Sequence, residues 1–106
     1  METKLKTEAR AKGDSILKKS LPSEHDFLMN EMRPFCKEMT DTVIDHAYGT
    51  IWARDELSKR LRSIVTIVSL AAIGGCEEAL RGHIQAALTN RCTVEELRES
   101  LLHMHL

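Results

Sequence analysis

The sequence predicts an all-α protein. No stretch alternates apolar and polar residues with period two, so no strand is expected. Apolar residues instead recur every three or four positions, and the segments between them carry helix-start and helix-stop residues. With 106 residues the chain has room for a single domain, 1–106. A domain of this size buries a modest share of its surface, and oligomerisation is a common way to make up the shortfall.

The first helix is expected over Thr3 to Ser20. It is rich in Lys, Glu and Ala, with Leu5, Ile16, Leu17 and Leu21 as its main apolar residues, and so reads as a surface helix interrupted at Gly13 and ended by Pro22. Ser23-Glu24-His25-Asp26 has the spacing of a capping box, with Asp in the place of Glu, and predicts a short helix through Phe27, Leu28 and Met32. Pro34 suits a first helical turn, so the next helix is placed from Pro34 to about Ala53. Phe35, Met39, Val43, Ala47 and Ile51 then form one expected face.

Asp55 is the expected N-cap of a helix from about Glu56 to Ile73, whose second half is apolar on nearly every side and reads as a buried central helix. Gly74-Gly75 supplies the backbone freedom that ends it. A further helix is expected over Cys76 to Thr89, with Leu80, His83, Ile84 and Ala87 on one face. Asn90-Arg91-Cys92 is a turn, and Thr93-Val94-Glu95-Glu96 is a capping box that starts the last helix.

Composition excludes several function classes. A net charge of −1 and a pI of about 6.5 provide no basic field for nucleic acid and no polybasic surface for membranes. Aromatic residues, at 4%, are too few for a base-stacking platform. The first residues, Met1 to Lys6, have charge but no apolar run behind them, so a signal peptide is not expected. The run from Ile64 to Gly75 is too short for a bilayer span. A soluble, cytoplasmic protein follows as the expectation. Cys36, Cys76 and Cys92 form neither an even set nor a CxxC pair, so neither a disulfide framework nor a zinc site is expected. His103 and His105 lack the partners of a metal site.

Tyr48-Gly49-Thr50-Ile51-Trp52-Ala53-Arg54, Leu57, and Arg60-Leu61-Arg62-Ser63-Ile64 resemble the signature of the carboxymuconolactone decarboxylase family. That signature is an aromatic-Gly-x-x-Trp-x-Arg, a leucine, and an Arg-Ser-Leu opening the central helix. Leu80-x-x-His83-Ile84-x-x-Ala87-Leu88-x-Asn90, Thr93-x-x-Glu96-Leu97-x-Glu99 and Leu101-Leu102-His103 follow the family's later segments in order. Lys12-Gly13-x-x-Ile16-Leu17 is a weaker echo of its N-terminal segment.

The resemblance implies an all-α, alkylhydroperoxidase D-like fold built on an antiparallel helical hairpin and assembled as a homotrimer or homohexamer. It also implies cofactor-free, metal-free removal of carbon dioxide from a small carboxylated lactone such as 4-carboxymuconolactone, in aromatic compound degradation. The related redox branch carries Cys-x-x-Cys-x-x-x-His. Here Cys76 fills the first thiol position, but Ala79 fills the second, and a lone thiol cannot cycle through an intramolecular disulfide.

The sequence departs from the family pattern at two places within the matched segments. Arg91 stands where Gly is usual, and Ala79 where Glu is usual, with Glu78 one position away. Members also continue beyond the position of Leu106 with Tyr-x-Gly-x-Pro and a helical tail that commonly helps complete the pocket. These departures leave room for two other readings: a same-fold enzyme that isomerises, cyclises or dehydrates a natural-product intermediate, and a non-catalytic oligomeric paralogue.

Decarboxylation needs a proton handler near neutrality and a cation for the carboxylate. His83 is the expected acid or base, with His46 and Glu78 as further candidates. Arg54 and Arg62 are the expected carboxylate clamps, with Trp52 and Tyr48 lining the pocket. Other readings of these residues are bland: a core histidine, solvated helix faces, a first-turn acid and surface ion pairs.

Overall fold

The computed structural model describes residues 2–105, with the side chains of residues 2 and 3 outside the description. All regular structure among them is helical. It falls into two compact units, Met1–Glu56 and Leu57–Leu106.

The first unit begins with α1 (Glu2–Ser20). Leu21 breaks the helix with φ −137° and ψ 59°, and α2 (Pro22–Phe27) restarts with Pro22 in its first turn. No side chain caps α2, so the box expected at Ser23 does not form: Pro22, which needs no hydrogen-bond partner for its nitrogen, has already begun the helix. A wide π-type turn, Leu28–Met32, and a last turn, Arg33–Phe35, complete this segment. Cys36, with φ −148° and ψ 92°, interrupts the helix expected from Pro34 onwards. Then α3 (Lys37–Thr42) runs into a ten-residue π-type segment, Val43–Trp52. The hydroxyl of Thr50 donates to the carbonyl of Asp45, five residues back, at 2.9 Å.

Gly13 does not interrupt α1. It is buried where α1 crosses the π segment, and a Cβ there would lie 2.0 Å from the carbonyl oxygen of Ile44 and 2.9 Å from the nitrogen of Gly49. A Cβ on Gly49 would lie 2.0 Å from the carbonyl oxygen of Ala9. The two glycines let the backbones touch. Because of this crossing α1 buries Gly13, Ile16, Leu17 and Ser20 and is more than a surface helix.

The buried stripe facing it is Thr40, Ile44 and Tyr48. The expected stripe lies to one side of it: Phe35, Met39 and Ile51 are exposed, Phe35 at 87%. Its neighbours Asp41 and Asp45 instead pair with α1. Arg10 forks onto Asp45, with Nε at 2.5 Å and Nη2 at 3.0 Å, and Nη2 also reaches Asp41 at 3.0 Å. These pairs fix the rotation of the helix, one residue or about 100° away from the apolar pattern.

In the second unit, α4 (Lys59–Ile73) is capped by Ser58, whose hydroxyl oxygen accepts from the Leu61 amide at 3.2 Å. Asp55 is not the N-cap, because the chain from Ala53 to Leu57 is a turn and reaches the extended conformation a cap needs only at Ser58. Gly74 ends the helix with φ 76°. α4 buries only Ser63 and Ile67. Val65 and Ile73, expected inside, are 56% and 74% exposed on the single chain.

α5 (Glu77–Thr89) packs on α4 and ends in a Schellman motif. The amide of Cys92 donates to Ala87 at 2.9 Å and that of Arg91 to Leu88 at 3.1 Å, while Arg91 takes the left-handed conformation at φ 73°. α6 (Val94–His103) opens with the complete Thr93/Glu96 capping box. Ile67, Ala87, Cys92 and Leu97 form the core of this unit, with Ile64, Leu80, Ile84 and Leu101 packed around them. Asn90 donates to Ser63 at 3.1 Å and ties the end of α5 to the start of α4. No described helix is long and apolar enough to cross a membrane.

Candidate functional site

The expected site residues divide between the units. His83 is in the middle of α5 and 7% exposed. Burial lowers its pKa below the ordinary 6.5 and favours the neutral ring at neutral pH. Its Nδ1 is shut off from solvent. An inward direction was legible from the spacing of Leu80, Ile84 and Ala87. Glu78 is exposed in the first turn of α5, where an acid is favoured by the helix dipole. Arg62 is half-buried, its Nε donating to the carbonyl of Leu57 at 3.1 Å.

In the first unit, Tyr48 is buried and stacks on half-buried Trp52, with ring centroids 6.0 Å apart and planes at 26°. Burial, and then the nearby Glu24 carboxylate, raises the Tyr48 pKa. Burial also raises that of Glu24. The phenol therefore stays protonated at any working pH. In the sequence Glu24 reads only as part of a capping box, since no local pattern joins it to Tyr48, 24 residues away. His46 is exposed on the π segment.

Arg54 lies just past the end of the π segment, its side chain 55% exposed, with Nη2 3.5 Å from Glu56 Oε1. It borders an open groove of about 500 Å³. One wall is Leu5, Glu8, Ala9 and Lys12 of α1, a single helical face by its spacing. The other is Gly49, Thr50, Ala53, Arg54, Asp55 and Glu56. Glu8 and Lys12 were not singled out by sequence: their spacing marks a face but not what lies opposite it.

Cys76 is the N-cap residue of α5, half-buried, with its thiol 3.5 Å from the carbonyl of Gly74. Cys92 is buried, and burial pushes its thiol pKa up against the pull of Arg60. A raised pKa works against thiolate chemistry. Among the described residues no three or more His, Cys, Asp or Glu side chains come together as metal ligands.

The sequence profile of the carboxymuconolactone decarboxylase family matches residues 37–106, two thirds of the chain, from the first turn of α3 onwards. The chain belongs to the carboxymuconolactone decarboxylase family. It is 35% identical over 78 residues to the 4-carboxymuconolactone decarboxylase of Acinetobacter baylyi, covering 74% of this chain and 58% of that protein. It is 29% identical over 92 residues to the nitrosuccinic acid decarboxylase of Metarhizium robertsii, covering 86% of this chain and 64% of that protein. The matches thus span less than two thirds of either relative's length. The family profile includes Arg54, Arg62 and His83 but not α1, so Glu8 and Lys12 lie outside it.

Proposed function

We propose that this chain removes carbon dioxide from a small carboxylated substrate, a carboxylated lactone or a nitro acid, with His83 moving the proton. The observation that carries the reading is the burial of His83 with its pKa lowered, in a family whose two matched relatives are both named decarboxylases.

In this reaction the bond between the carboxylate carbon and its neighbour breaks, and its electron pair passes into the substrate's own carbonyl or nitro group. Carbon dioxide leaves, and a proton is then delivered to carbon. The electron sink belongs to the substrate, so the step as written calls on no cofactor. The imidazolium of a histidine with a lowered pKa is a stronger acid than the ordinary one, and it reloads from water. Arg62 is on the same unit as His83, and its bond to Leu57 holds the guanidinium stem in place for a carboxylate.

The reading extends to self-association as a homotrimer or homohexamer. Its support is the apolar surface left open on one chain, with Ile73 74% and Leu102 63% exposed. Light scattering on the eluting protein measures the number of copies.

Carbon dioxide release from 4-carboxymuconolactone and from nitrosuccinate tests the activity. His83→Ala is expected to lower kcat/KM by about 100-fold or more with the helical circular dichroism unchanged. In the wild type kcat/KM is expected to fall as pH rises through a pKa below 6.5, the limb of a protonated donor whose pKa burial lowers. A wild type inert to both substrates, or His83→Ala with full turnover, ends this reading.

A further inference from the structure

The sequence reads α4 as a buried helix, yet one chain buries only Ser63 and Ile67 of it. Residues 63–76 contain no charged side chain. The open face of a helix in water normally carries charge, and a helix apolar on nearly every side is a covered one. Leu61, Val65, Ser69 and Ile73 are all exposed, and their spacing of four makes them one stripe, about 18 Å long. Ala72, also exposed, lies beside it.

The two ends of the stripe differ in charge. Lys59 is exposed in the first turn of α4. Its neighbours are occupied: Arg60 pairs with Glu96, and Arg62 donates to the carbonyl of Leu57. At the other end Glu77 and Glu78 are exposed in the first turn of α5. The dipole of α4 has the same polarity, positive at Lys59 and negative at Ile73. Such a face repels a parallel copy of itself and attracts an antiparallel one. In full antiparallel overlap Leu61 meets Ile73, and Val65 falls over the small Ser69, each contact made twice. Lys59 then comes within one turn of Glu77 and Glu78 of the second copy.

We infer that the stripe over residues 61–73 is an interface between two copies of this chain, packed antiparallel about a two-fold axis. A two-fold contact joins copies in pairs, so of the homotrimer and the homohexamer it selects the hexamer. The inference rests on the proposed self-association and needs neither His83 nor turnover.

Light scattering should give an even number of copies. A carbodiimide, which joins an amine to a carboxyl as an amide with loss of water, should couple Lys59 to Glu77 or Glu78. Within one chain these groups stand at opposite ends of α4, about 20 Å apart, so the coupled peptides come from two copies. Val65→Asp sets two carboxylates in the contact and is expected to weaken it by about 100-fold or more, with the helical circular dichroism unchanged. Lys59→Glu is expected to weaken it by about tenfold, and Lys59→Glu combined with Glu77→Lys and Glu78→Lys to restore it. An odd number of copies, no coupling of Lys59, a folded Val65→Asp that assembles like the wild type, or a charge swap that restores nothing overturns the inference. A monomeric wild type overturns the proposed self-association with it, and carbon dioxide release by that monomer leaves the decarboxylase reading standing.

Discussion

Each unit is held together internally by a different kind of contact. In Met1–Glu56 the decisive ones join residues far apart in the chain: Gly13 against Ile44 and Gly49, Arg10 against Asp45, and His25 Nε2 against Asp14 at 2.5 Å. In Leu57–Leu106 much of the order is local. Ser58 caps α4, Gly74 ends it, a Schellman turn closes α5, and a capping box opens α6, all around one apolar cluster. The first unit therefore tolerates little change at its backbone crossing, whereas the second has its stability spread over caps and side-chain packing.

The hardest test of this difference is Gly49→Ala. The added Cβ meets the backbone oxygen of Ala9 at 2.0 Å, and backbone cannot swing aside. A loss of about 3 kcal/mol or more is expected in urea unfolding, at the top of the range for overpacking. A loss under about 1 kcal/mol refutes the crossing as the first unit's weak point. In the second unit, Ile67→Ala empties the centre of the apolar cluster, where Ile67 is 1% exposed. About 3 kcal/mol is expected there too, but through a cavity, so a ligand or a larger neighbour that fills the space should restore part of it.

Arg91→Gly works in the opposite direction. Arg91 adopts φ 73°, a conformation that costs a residue with a Cβ about 1 kcal/mol or more. Glycine there is expected to stabilise the protein by about 1 kcal/mol, read as a raised Tm. This position is where the family pattern has Gly, so the departure seen in the sequence is a strained turn in the structure. No shift in Tm means that the Schellman turn carries no strain.

The mildest probe is pH. The folded pKa of His83 is below 6.5, so the unfolded chain binds more protons as pH falls through that value, and folding stability drops. The slope is expected to start near pH 6.5 and to vanish in His83→Gln. The carboxyls that hold the first unit respond much lower. Burial alone would raise Asp14, but hydrogen bonds from His25 and Lys18 bring it below 3.8. A hydrogen bond from Lys37 leads those that lower Asp41. Both contributions are present above pH 3.8 and are lost as pH falls through the lowered folded values. Glu24, raised by burial, works against them. Amide exchange followed residue by residue should therefore rise near His83 at a higher pH than around Asp14. A simultaneous rise contradicts the separation.

Local chemistry was legible in the sequence. Helix against strand, the stop at Gly74, the box at Thr93 and Glu96, and the inward direction of His83 depend on residues within one or two turns of each other, and spacing reads them directly. So was the family, because many matched positions in order constrain more than any one. Contacts between distant segments were decided only by the tertiary structure. A buried glycine crossing reads in sequence as a broken helix, because nothing local reports the carbonyl of Ile44 that lies against Gly13. The same holds for the one-residue rotation toward Thr40, Ile44 and Tyr48, set by Arg10 on Asp45 against the apolar pattern. It holds also for the groove between Lys12 and Arg54, since a cavity belongs to two segments at once and to neither alone.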